Sequence, residues 1–141
     1  TEAQTLSDID RFFAWFNVGT SHVALFQYAD AAIAYDYAFN IYADLDPNDS
    51  VRPYRMMWYQ TGPYKAYYYT NRFADVINLA DTTLNDTIAE PVLEESLYWR
   101  GMAYYMAGQT ELAVNDYRSA LKVHPQWIPA TQAMQDLGIQ P

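Results

Sequence analysis

Along the chain, apolar residues return at intervals of three and four through almost every long segment, and strict apolar–polar alternation never lasts more than a few residues. That periodicity predicts an all-α protein. Helices are expected at about 8–26, 28–44, 54–70, 73–86, 91–107, 110–123 and 127–137. Ser7 ahead of Asp8 and Asp10 reads as an N-cap followed by acidic residues that offset the positive end of the helix dipole. The breaks coincide with Asp46-Pro47-Asn48-Asp49, Pro53, Pro91, Gly108 and His124-Pro125, which stop a helix or open the next. Pro63 is the exception. It falls inside the expected 54–70 helix and should kink it or split off its first turn. The segment from Asp44 to Pro53, rich in Asp, Asn, Pro and Ser, is expected to be an exposed connection.

Composition narrows the class. The 141 residues suit a single domain, 1–141, able to bury about 68% of its unfolded surface without metal or disulfide. An apolar content of 51% against 18% charged excludes a disordered tail, and no apolar run approaches the roughly 20 residues of a membrane span. Seventeen acidic residues against eight basic ones leave a net charge of -9, which repels nucleic acid and anionic lipid. The absence of Cys removes disulfides, thiolate metal sites and a cysteine nucleophile together. Thr1 to Asp10 shows no signal-peptide pattern, and a Thr at position 1 suggests a piece of a larger protein. The compartment stays open between cytoplasm and, for an exported parent, envelope or exterior.

Helix pairs joined by short turns direct attention to internal repeats. From Glu94 to Trp127, Leu97, Gly101, Tyr104, Ala113, Tyr117, Ala120 and Pro125 are large, small, aromatic, small, aromatic, small and closing proline in turn. This stretch resembles a tetratricopeptide repeat, a helix-turn-helix unit of about 34 residues. Arg100 departs from the pattern, standing where Leu is usual. A looser copy upstream carries Gly19, Tyr28, Ala31, Tyr35 and Ala38, with His22 in place of the expected Tyr and a second helix about one turn too long before Pro47. Another carries Tyr67, Phe73 and Ala80, with Tyr64 at the usual Gly position and Val76 and Thr83 at the usual Ala positions. The turn landmarks Tyr28, Phe73 and Thr110 are 45 and 37 residues apart, so extra loop separates the units. The resemblance implies a right-handed α-α superhelix of three helix pairs, at about 12–45, 57–90 and 94–127, closed by a capping helix at about 127–137. An antiparallel helical bundle is the alternative.

The chain has no glycine-rich phosphate loop, nucleophile-elbow Ser, zinc-type His-Glu pairing or purposefully spaced carboxylate pair, so no enzyme activity, cofactor or metal is expected. His22 is expected as a core imidazole and His124 as a partner of a helix end. The resemblance implies that the first helix of each pair lines a concave face. Its ligand-facing stripe would be Phe13, Phe16, Thr20 and Val23, then Trp58, Thr61, Lys65, Tyr68 and Tyr69, then Tyr98, Met102 and Tyr105. The candidate peptide-binding residues are Trp58, Lys65, Tyr68, Tyr69, Tyr98, Met102 and Tyr105. Tyr and Trp suit such a role because they add contact area at low entropy cost and keep a polar handle.

The expected partner is a protein or peptide of apolar, aromatic or basic character, with the chain a monomer or weak dimer. A clamp for acidic chaperone tails is disfavoured, because Phe16, Thr20, Glu95 and Trp99 stand where its residues would be wanted and the chain has two lysines. The segment Arg55 to Tyr64 also resembles stretches in bacterial tetratricopeptide regions appended to secreted or envelope cysteine-peptidase-like domains. That implies an accessory module packed on another domain of its parent. A self-association module is a further reading.

Overall fold

A computed structural model of the chain describes residues 7–45, 61–86 and 93–141. Among the described residues the fold is all-α, as the periodicity predicts, with seven helices and no strand. They are α1 (Asp8–Ala24), α2 (Tyr28–Asp44), α3 (Gly62–Tyr69), α4 (Phe73–Asp86), α5 (Leu93–Met106), α6 (Thr110–Val123) and α7 (Ile128–Asp136). Ser7 caps α1 as expected, its Oγ accepting from the Asp10 N–H at 3.2 Å. Pro63 lies at the start of α3 and not in its interior. It occupies the first turn of α3, where its missing N–H and fixed φ cost nothing. Residues 54–60 of the expected helix and most of the expected connection 44–53 lie outside the described residues.

The chain divides into two compact units, Thr1–Thr70 and Asn71–Pro141. In the first, α1 and α2 pack along their lengths over Phe12, Phe16, Ala31, Tyr35 and Ala38, all buried. Phe16 meets Tyr35 edge-on at 5.0 Å and lies tilted against Phe12 at 5.6 Å. Gly19 is required here, because a Cβ on it would lie 2.7 Å from the Tyr35 ring. The Tyr35 hydroxyl hydrogen-bonds Thr20 at 2.9 Å, and burial pushes its pKa up to about 12, with the Thr20 bond opposing. Helix α3 closes on the pair: Gly62 abuts the Tyr35 hydroxyl, and Tyr67 donates to Asp36 Oδ1 at 2.9 Å.

The second unit repeats the device. Gly101 of α5 faces Tyr117 of α6, where a Cβ would again come within 2.7 Å of the ring. Ala113 and Ala120 are fully buried at this crossing, as the repeat register requires. Helix α7 covers the open side with Ala130 and Met134, which join Leu97, Ala120, Ala113 and Tyr117 in the core. Helix α4 packs on α5. From α5, Arg100 grips buried Asp116 with two bonds, Nε to Oδ2 at 2.8 Å and Nη2 to Oδ1 at 2.7 Å. It also reaches Asp81 of α4 at 2.9 Å, and its guanidinium lies 5.8 Å from the Tyr104 ring centre. The bond to Asp116 raises the Arg100 pKa further despite burial. The residue that departs from the repeat pattern thus ties three helices together.

Three helix ends share one turn. After α1, α5 and α7, the residue at the left-handed position is Phe26 (φ 59°), Gly108 (φ 83°) and Gly138 (φ 71°). In each case the next N–H returns to a carbonyl five residues back: Gln27 to His22 at 2.8 Å, Gln109 to Tyr104 at 2.8 Å, and Ile139 to Met134 at 3.0 Å. Two of these positions carry the glycine such a turn favours and one carries phenylalanine.

Candidate functional site

The candidate stripe falls on α3 in one unit and α5 in the other; Trp58 and the remainder of its segment lie outside the described residues. On α3, Lys65 and Tyr68 are half-buried, while Tyr69 keeps 53% of its surface. Tyr69 leans on Tyr28 at 4.7 Å and meets Tyr68 edge-on at 5.2 Å, so the three rings form one aromatic cluster, exposed chiefly at Tyr69. Burial, with Tyr69 alongside, pushes the Tyr68 pKa up and keeps its phenol a neutral donor.

On α5, the three candidates have different surroundings. Tyr98 is half-buried and shares ring contacts with Trp99 at 5.2 Å and Trp127 at 5.5 Å. Met102 is half-buried against the cluster of Ala113, Val114, Tyr117 and Met134. Tyr105, one turn further on, keeps 44% of its surface. Packing therefore takes more of this stripe toward its N-terminal end, and a ligand would meet its C-terminal end most fully.

Several expectations change. Phe16 does not belong to an accessible stripe: it is 1% exposed, because it shares a face with Phe12 and Gly19 and fills the crossing beside Tyr35. His22 is not a core imidazole. It is half-buried near the end of α1, with Nδ1 2.7 Å from Gln27 Oε1. His124 follows the end of α6 and is half-exposed, 3.6 Å from Glu94 and stacked on Trp127, in keeping with its expected place. Trp99, considered among clamp positions, is a core residue. The Arg100–Asp116 pair is absent from the sequence-based expectations. Its available signal was an Asp placed sixteen residues after the anomalous Arg, the same separation as Gly101 and Tyr117.

Among the described residues no group of three His, Cys, Asp or Glu side chains gathers to hold a metal ion. Nor is any described helix long and apolar enough to cross a membrane.

Two helix pairs closed by a glycine against a tyrosine place the chain in the class of helical-hairpin proteins. Residues 94–127, which span α5, α6 and the turn that follows, match the family model of the tetratricopeptide repeat. No curated protein and no solved structure matches the chain.

Proposed function

We propose that this protein is a non-catalytic interaction module that holds an extended peptide or a partner domain on side chains of its first unit, Trp58, Lys65, Tyr68 and Tyr69, or of its second, Tyr98, Met102 and Tyr105. The observation that carries this reading is the tetratricopeptide match at 94–127, a repeat type that generally serves protein–protein interaction, together with Tyr105 left exposed on its first helix. An exposed aromatic ring offers a partner large contact area and a polar handle at low entropy cost. The acidic balance of the chain favours a ligand with apolar and basic side chains.

The test uses a peptide selected against the full chain from a random library. Tyr105→Ala should weaken its binding by about 1–2 kcal/mol while the unfolding midpoint moves by less than about 1 kcal/mol. Tyr69→Ala should behave in the same way. A large loss of stability with unchanged affinity would assign both rings to packing and remove the proposal.

A further inference from the structure

A second feature, which shares no residue with the stripe, lies on the side of the α1–α2 pair turned away from α3. Helix α3 meets α2 through Tyr28, Tyr35, Asp36 and Phe39. Tyr37, Asn40, Ile41 and Asp44 occupy the opposite side of α2 at helical spacing, and there they border an open cavity of about 260 Å³. Asp8, Arg11 and Trp15 of α1 complete its wall.

The floor is a stacked pair, Trp15 on Tyr37, with ring centres 4.6 Å apart and planes 27° from parallel. Tyr37 lines the cavity and remains 52% exposed. The charge around it is unbalanced. Asp44 sits in the last turn of α2, where the dipole already presents its negative end and where, among the described residues, the turn carries no basic side chain. Asp8 adds a second carboxylate, which Arg11 meets at 3.3 Å in an exposed pair. A carboxylate at a helix C-terminus destabilises the free protein, and a bound cation would relieve it. Beyond the cavity the surface continues apolar through Val18 and Ile33, each one helical turn from a member of the stack and each exposed.

We infer that this cavity is a binding site for an arginine or lysine side chain of a partner peptide, its cationic head between the Trp15–Tyr37 stack and Asp44, and its apolar neighbours on Val18 and Ile33. Cation–π attraction to the rings and a charge-assisted hydrogen bond to Asp44 both demand a positive group. A second copy of this chain is a poor occupant, since it would bring Asp8 and Asp44 against their own like and the chain carries a charge of -9.

The full chain is titrated with the amidated peptide acetyl-Ala-Leu-Arg-Leu-Ala and with its citrulline counterpart, a neutral isostere, following the Trp15 indole N–H by NMR. The arginine peptide should produce a saturable shift at Trp15. The citrulline peptide should bind about five- to tenfold more weakly. Asp44→Asn and Tyr37→Leu, both at exposed positions, should lower affinity for the arginine peptide by a similar factor with unchanged circular dichroism, and Tyr105→Ala should leave it unchanged. On the unaltered protein, raising salt should weaken the arginine peptide and not the citrulline one. Equal binding of the two peptides, no saturable shift, or a Trp15 shift that follows protein concentration alone and so reports a second copy would each overturn the inference.

Discussion

At the scale of single residues, two glycines are held in place by steric demand. A methyl group at Gly101 would enter the Tyr117 ring, and one at Gly19 the Tyr35 ring, each in a tightly packed crossing. Gly101→Ala and Gly19→Ala should each cost about 1–3 kcal/mol, read as a lower denaturation midpoint. Phe26 presents the opposite case. Its ring is 77% exposed and its backbone is left-handed, a conformation that costs a side-chain-bearing residue about 1–2 kcal/mol. Phe26→Gly should stabilise the protein by about 1 kcal/mol in the same assay, since Gly108 and Gly138 already serve equivalent turns. Tyr35 makes stability sensitive to alkali. Its folded pKa, near 12, lies above the unfolded value near 10, so between those limits the native state retains a proton that the unfolded state loses. Its contribution should therefore fall as pH rises from about 10 to about 12, by no more than about 2 kcal/mol. Tyr35→Phe should lack this part of the alkaline loss in unfolding curves taken across that range.

At the scale of helices and helix pairs, the ion pair between α5 and α6 decides the outcome of an apparently conservative change. Arg100→Leu would restore the residue usual in the repeat and leave Asp116 buried without its counter-charge. The expected loss is about 3 kcal/mol, and the double variant Arg100→Leu with Asp116→Leu should recover most of it. A double-mutant cycle by denaturation measures the coupling. Helical periodicity made α2 and α6 legible to the residue, and α6 is bounded by turn chemistry on both sides, Gly108 before it and His124-Pro125 after it. It was less informative about which of two adjacent residues on a helix faces inward. Phe16 and Phe13 stand three positions apart on neighbouring stripes, and only the crossing with Tyr35 decides that Phe16 is core while Phe13 stays half-buried. His22 was misread for a related reason: the repeat template places an aromatic there, while the end of α1 offers an imidazole the amide of Gln27 instead. Arg100 stood out as an anomaly, but its partners come from two other helices, and pairing across helices leaves no trace in local periodicity.

At the scale of the molecule, charge governs encounter more than affinity. A chain of net charge -9 should capture basic peptides faster at low ionic strength. The association rate measured by stopped flow should fall several-fold between about 20 and 200 mM salt, with a smaller change in the dissociation rate. Of the proposed stripe, the aromatic character was legible in composition and spacing. The division of labour along it was not, because Tyr98 and Met102 are drawn into packing by α6 and α7 while Tyr105 is not.

The glycine–tyrosine contact has a counterpart in chain length. Gly19 and Tyr35 are separated by sixteen residues, as are Gly101 and Tyr117, and Arg100 and Asp116 span the same interval. One residue added within α6 ahead of Asp116 would turn everything beyond it by about 100°. Tyr117 would leave Gly101 and Asp116 would leave Arg100 in a single event. What the hairpin tolerates is thus a change of letter more readily than a change of count. Labels, grafted epitopes or cleavage sites belong outside 100–117 and 19–35, where an altered length disturbs neither contact.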